Sequence, residues 1–205
     1  GLATLLAGAV LLATRAFAND YTVTSTADAG PGTLRQAIID LEVSGDRTSS
    51  IHFGINTITF TVSGTITLQS DLPAILKNVT IEGNNAIIEG QGLYRGFFIS
   101  NFTDFFNPPT PTPVPTPQPV WVTIQNLTIQ HTRAAGGIGG GGSFSGGSGG
   151  GGAGLGGAIF VADQANVTLI NVHLLTNKAA GGAGGGVIVG FFTHGGGGGM
   201  GGAGG

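Results

Sequence analysis

Cysteine is absent from the 205 residues, and charged side chains make up only 8% of them. The first absence excludes a disulfide framework and thiolate zinc sites. It does not argue against export, because a long stacked core holds without cross-links. The second lies far below the roughly 25% usual for soluble domains. Val, Ile, Thr and Asn are plentiful instead, which favours β-structure with a neutral surface of hydroxyls and amides. The seven Lys and Arg are scattered and the formal net charge is −3. Nucleic acid, which requires clustered cations, is therefore not an expected partner. The chain is long enough for one domain with a sizeable core.

The N-terminus reads differently from the remainder. Residues 2–13 are apolar, and Ala16-Phe17-Ala18 forms a small-x-small site before Asn19. This is the pattern of a signal-peptide h-region and cleavage site. The run is too short to span about 30 Å of hydrocarbon. The expectation is a signal peptide over 1–18, truncated at its start because no Met or basic n-region precedes it. Residues 19–50 are expected to form a cap. Thr33 and Gln36 have the capping-box spacing, and Leu34, Ala37, Ile38 and Leu41 follow at helical intervals. A short amphipathic helix ending near Glu42 must lay this stripe over something, and the end of a β-stack is the partner at hand.

From Ile51 the period changes. Ile58-Thr59-Phe60, Ile66-Thr67-Leu68, Val79-Thr80-Ile81 and Ala86-Ile87-Ile88 are short β-prone runs separated by Gly, Asn, Ser and Asp. No helix of crossover length divides them, which leaves sandwiches, barrels and β-solenoids. An internal repeat selects among these. Val122 to Ile129 aligns without gaps on Val167 to Leu174 at an offset of 45, and the match runs on through Arg133/Lys178 to Gly137/Gly182. The offset reads as two solenoid turns of about 22 residues each. Val79 to Gly83 is a weaker third copy, placing Gly83, Asn126 and Asn171 at one corner position. Gly and Asn tolerate the left-handed backbone that a sharp corner requires. Stacked Asn side chains can also bond along the stack. The expected fold class is all-β, a right-handed parallel β-helix over residues 58–178 with a short N-terminal capping helix.

Two segments interrupt the expected coils of 51–205. Residues 108–119 hold seven of the nine prolines and should project as an extended polyproline insertion. Gly-rich tracts occupy 136–157 and 181–205, with 30 of the 41 glycines from Gly136 onward. They read as flexible loops at a corner. Gly156 to Val161 and Gly185 to Val189 emerge from them as strand-like runs.

The stretch Thr22-Val23-Thr24-Ser25-Thr26-Ala27-Asp28-Ala29-Gly30-Pro31-Gly32-Thr33-Leu34-Arg35-Gln36-Ala37-Ile38 resembles the opening of bacterial right-handed β-helix repeat surface proteins, with their GPGSLRQAI or CSLREA-type motif. The resemblance continues through Leu72-Pro73-Ala74-Ile75, Asn126-Leu127-Thr128-Ile129 and Gly156-Gly157-Ala158-Ile159. The last run, with Leu174-Leu175-Thr176-Asn177, is also similar to the paired GGA(I/L/V) and FxxN repeats of polymorphic outer-membrane autotransporters. Leu174 stands where that motif has Phe, and one clear pair is present. The resemblance implies a pectin-lyase-like β-helix, exported and borne on adhesins or other surface proteins. It implies no activity, since one fold hosts many functions.

The same scaffold carries polysaccharide lyases and hydrolases, so titratable residues are the natural candidates for chemistry. The acids are Asp71, Glu82, Glu89, Asp104 and Asp163, with Arg95, Arg133 and Lys178 as bases. Glycoside hydrolysis needs two facing carboxyls, and the repeat stacks no acid on another acid. Solvated acids at corners are the preferred reading. His131 and His173 do not align and read as surface residues, while His52 and His194 have no visible partner. Gly146 to Gly150 fits G-x-S-x-G, but any poly-Gly tract does so by composition. The sequons at Asn78, Asn101, Asn126 and Asn166 matter only in a eukaryotic secretory route. Trp121 is expected on an outward face near Phe105 and Phe106, packing the base of the Pro-rich insertion in preference to binding.

No catalytic, cofactor or metal site is assigned from sequence. The expectation is an exported protein, secreted or at the cell surface (the outer membrane included), non-catalytic, with an adhesive or structural role toward glycans or surface proteins of neighbouring or host cells. Membrane association is expected only through C-terminal elements beyond this sequence. The alternative is a polysaccharide lyase or glycoside hydrolase.

Overall fold

The computed structural model describes residues 18–44, 55–101, 119–141 and 149–186. The expected signal peptide up to Phe17, the expected Pro-rich insertion before Pro119, Asp104, Phe105, Phe106, His52, His194 and Val187 to Val189 lie outside these residues. So does most of Gly146 to Gly150.

The described residues form mostly parallel sheets with one short helix. Strand β1 (Asp20–Val23) precedes α1 (Leu34–Val43), and β2 (Asn56–Phe60), β3 (Thr65–Thr67), β4 (Val79–Glu89) and β5 (Phe97–Ile99) follow. Next come β6 (Val120–Gln130), β7 (Arg133–Ala135), β8 (Ile159–Val161), β9 (Ala165–Leu175) and β10 (Lys178–Ala180). The largest sheet has the order β1-β2-β4-β6-β9, with β3 beside the second half of β4. Two smaller parallel sheets pair β5 with β8 and β7 with β10. Among the described residues no helix is long and apolar enough to cross a membrane.

Helix α1 follows from its sequence. Thr33, buried and extended, accepts a hydrogen bond from the Gln36 N–H at 3.2 Å, the N-cap bond. The Gln36 amide donates to Asp40 at 2.8 Å along the helix, so its side chain serves that pair instead of completing the capping box. Leu34, Ala37, Ile38 and Leu41 are all buried and join one core with Val23, Ile58 and Phe60. The Lys77 ammonium donates to the carbonyls of Leu41 and Glu42 at 2.8 and 2.9 Å, binding the helix C-terminus to the sheet.

Strands β4, β6 and β9 each run 11 residues with a left-handed interruption near the middle. In β6, Val120, Val122 and Ile124 face the core, and so do Leu127 and Ile129. Strict alternation would put Leu127 outside. Asn126, at φ 54°, takes up the odd residue and re-phases the pattern so both halves bury their apolar face. Asn171 re-phases β9 in the same way at φ 51°, but there Val167 and Val172 are only half-buried and Leu169 and Leu174 are exposed. In β4 the role falls to Asn84 and Asn85, at φ 48° and 60°, and not to Gly83 as the repeat suggested. Two extra residues sit there, and the ladder shifts between Glu82 and Ala86. Gly83 is required for a different reason, since a Cβ there would come within 2.6 Å of Leu127 Cδ1 and 2.7 Å of Asn126 O.

The register corrects the length of the repeat. Val122 lies directly beside Val167 and Arg133 beside Lys178, so the offset of 45 is one step between neighbouring strands and not two. Without a long excursion the step is 23, as where Thr57 faces Thr80. The additional residues between β6 and β9 are those of the Gly-rich tract between β7 and β8. Its described parts, 136–141 and 149–157, are hydrogen-bonded and not the loose loop expected. Gly136 and Gly139 donate to Ala180 and Ala183 at 2.9 and 2.8 Å, while Gly149 and Gly152 donate to Gly140 and Gly137 at 2.7 Å.

Buried polar groups tie successive strands. The Asn56 side chain, 1% exposed, accepts from Asn19 N–H at 3.0 Å and donates to Asn78 O at 3.1 Å. Asn177 accepts from the Thr132 N–H and hydroxyl and donates to Ile129 O at 2.9 Å, fastening β9 to β6 behind their second corner.

Candidate functional site

The left-handed residues that follow the long strands position a cleft. Gln91, His131 and Thr176 follow β4, β6 and β9 and all have positive φ, at 57°, 47° and 51°. His is among the residue types that enter this region with modest strain. These three residues, with Glu89, Arg133 and Lys178, line an open cleft of about 420 Å³.

Glu89 is its carboxylate. Its Oε2 accepts from Gln130 Nε2 at 2.9 Å and lies 2.8 Å from His131 Nδ1, and Oε1 accepts from Gln91 N–H at 2.8 Å. Burial raises the pKa of this group. The hydrogen bonds from His131, Gln130 and Gln91, with the charge of His131, outweigh that effect and hold it below 4.5. Glu89 is therefore ionised at neutral pH and poorly suited to donate a proton.

Two cations line the same cleft. Arg133 and Lys178 are register partners in β7 and β10, so their side chains leave the same face of a parallel pair. Like charges in this arrangement repel unless something neutralises them. Arg133 Nε is buried without a hydrogen-bond partner, while Arg133 N–H donates to Tyr94 O at 2.8 Å. The cleft thus offers one engaged carboxylate, the Arg133 and Lys178 cations, a His131 exposing 53% of its side chain, and the Thr176 hydroxyl. Chemically it fits an anionic, hydroxyl-bearing ligand.

The other sequence candidates are dispersed. Glu82 accepts from Gln125 at 2.6 Å and from Asn126 at 2.9 Å, and Asn171 donates to Asn126 at 2.8 Å. This is a polar ladder along the outer face. Burial raises the Glu82 pKa, but the bonds from Asn126, Asn84 N–H and Gln125 bring it below 4.5. Asp71 accepts from Arg95 N–H at 2.7 Å, and Asp163 accepts from Gln164 N–H at 2.9 Å. The Arg95 guanidinium lies 5.7 Å from the Phe98 ring centroid and 5.9 Å from that of Phe160, over a stacked pair. His173 faces Thr128 across the ladder and is exposed. Trp121 is outward and 57% exposed. Among the described residues no group of three or more His, Cys, Asp or Glu could hold a metal ion.

Sequence reading treated His131 as an isolated surface residue. The signal that locates it is the bulge at Asn84–Asn85, which changes the β4–β6 offset from 43 at Val79/Val122 to 41 at Glu89/Gln130. With that shift Glu89 faces Gln130 and contacts both Gln130 and His131. Arg133 and Lys178 were already aligned by the repeat, and their like charge was the overlooked clue. No protein-family model, curated protein or solved structure matches this chain.

Proposed function

We propose that this chain is an exported, non-catalytic surface protein of the right-handed β-helix repeat class, and that it binds acidic glycans in the Glu89–His131–Arg133–Lys178 cleft. The pairing of Arg133 with Lys178 on one face of β7 and β10 carries the reading. Two cations at paired register positions lining one cleft supply the charge to receive a carboxylate or sulfate.

The β-helix reading draws on the parallel registers, the left-handed residues at 126/171 and 131/176, and the contact of the small sheet with the large one. A Cβ on Gly96, beside β5, would come within 3.3 Å of Ile129 Cγ2 in β6. Parallel connections within one sheet are right-handed almost without exception. Export is supported by the apolar run of 2–13 and Ala16-Phe17-Ala18. An adhesive role suits the neutral outward ladder Thr57–Thr80–Thr123–Thr168 and exposed Trp121.

The second reading, a polysaccharide lyase or hydrolase, draws on the Glu89–His131 contact in the same cleft. It ranks lower because Glu89 is already committed to three donors, and hydrolysis requires a second, facing carboxyl. Titration calorimetry with uronate-bearing and neutral oligosaccharides tests the preferred reading. Arg133→Gln should weaken the acidic ligand about tenfold or more, the loss of a charge-assisted hydrogen bond of about 1.5–3 kcal/mol. Equal affinity for neutral and acidic ligands, unchanged in Arg133→Gln, would sink it.

A further inference from the structure

The outward face of the largest sheet carries an aromatic side chain that the cleft does not use. Trp121 is the second residue of β6, whereas the cleft follows the last residue of that strand, Gln130. The indole points away from the core and is 57% exposed. Trp121 pairs in register with Asn166 of β9, and its N–H donates to Asn78 Oδ1 at 2.8 Å, just before β4. Two residues further along the strands runs the row Thr57, Thr80, Thr123 and Thr168. Neighbours in such a row are about 4.8 Å apart, and Thr123 stands about 6.6 Å along β6 from Trp121.

These polar groups are largely unengaged. Thr57 donates to Asp20, but among the described residues no hydrogen bond reaches the hydroxyls of Thr80, Thr123 and Thr168 or the side-chain amide of Asn166. The face is also uncharged around the indole, since β6 and β9 present Thr123, Gln125, Asn166, Thr168 and Ile170 beside it. A charged ligand finds no counter-charge there. A neutral pyranose matches what is offered, with C–H groups on its ring face and hydroxyls along its edge. Tryptophan supplies a large, rigid contact area at little cost in side-chain entropy. A few placed hydroxyls and amides then fix the orientation of what lies on it. A protein partner would need far more surface, about 800 Å² on each side.

We propose that Trp121, with Thr123, Thr168 and Asn166, is a subsite for one unit of a neutral oligosaccharide, its ring face on the indole and its hydroxyls on the polar row alongside. This site is separate from the acidic-glycan cleft and stands whether or not that cleft binds.

Trp121 is the only tryptophan in the chain, so its fluorescence reads this site without any variant. Neutral oligosaccharides of glucose, xylose, mannose and galactose are the probes. At least one should shift the emission to shorter wavelength and shield it from acrylamide, saturably and with the same midpoint at low and high salt. That salt independence separates it from a ligand held by Arg133 and Lys178. In calorimetry the same sugar should bind Trp121→Ala at least about tenfold more weakly. Thr123→Val should bind it about threefold more weakly, the loss of one neutral hydrogen bond. Both side chains face outward, and unfolding midpoints close to that of the natural chain show that the variants are folded. Emission that no probe changes overturns the proposal. So does affinity undiminished in Trp121→Ala or in Thr123→Val, which places the sugar elsewhere. Emission already blue and resistant to acrylamide in the free protein also overturns it, because another part of the chain then covers the ring.

Discussion

Asn126 and Glu89 show how much a single residue decides here. Asn126 holds a left-handed backbone, re-phases β6, and passes a hydrogen bond from Asn171 on to Glu82. Asn126→Val should cost about 1–3 kcal/mol in urea unfolding, with Asn126→Gly less damaging because only the ladder bond is lost. Equal losses in the two variants would show that backbone strain is not the cause. The carboxylates split by sign. Glu82 and Glu89 have lowered pKa values, so their contribution is complete above the unfolded value and disappears as pH falls through the folded one. Glu42 is raised, chiefly by burial, against the pull of Leu76 N–H and Lys77. Its contribution is complete below the unfolded value and is lost as pH rises through the folded one. Unfolding midpoints followed across the carboxylate range should therefore show a flatter acid limb in Glu82→Gln and Glu89→Gln, and the opposite change in Glu42→Gln. The type of residue at the first corner was legible from the repeat. The displacement of that corner from Gly83 to Asn84–Asn85 was not, because a two-residue bulge leaves no periodic trace.

At the scale of elements, helix α1 was the most legible piece, since its cap and stripe are local. Thr33→Ala should lower stability by about 1 kcal/mol, and Ile124→Ala, fully buried in the largest sheet, by about 2–5 kcal/mol. Denaturant midpoints check both, and a loss at Thr33 matching that at Ile124 would contradict the division between cap and core. The strands were legible as apolar runs, but their joining was not. Val79-Thr80-Ile81 and Ala86-Ile87-Ile88 are one strand, continuous through the left-handed pair. The glycine tracts misled in the other direction. Low complexity usually marks flexible chain, but here the missing side chains are what allow backbones to approach. Gly139→Val should break the bonds to Ala183 and raise amide exchange across 136–141 and 181–186, leaving β6 protected.

For the molecule as a whole, the repeat foretold which residues share a ladder but misjudged how many strands the offset spans. The cleft was half visible, through Arg133 and Lys178, and half hidden behind the bulge that sets Glu89 opposite Gln130. The proposed route out of the cell is testable by fusing residues 1–30, preceded by Met, to a phosphatase active only after export. Activity should depend on the apolar run and fall when Leu5 and Leu6 become Asp. The central proposal is binding of acidic glycans without turnover. One experiment meets it directly: incubation with a panel of acidic polysaccharides, recording bound ligand and newly formed chain ends in the same samples. Saturable, salt-sensitive binding with no new ends is the expected result. Chain ends that accumulate with time, and cease to do so in Glu89→Gln, would contradict it and make the cleft an active site.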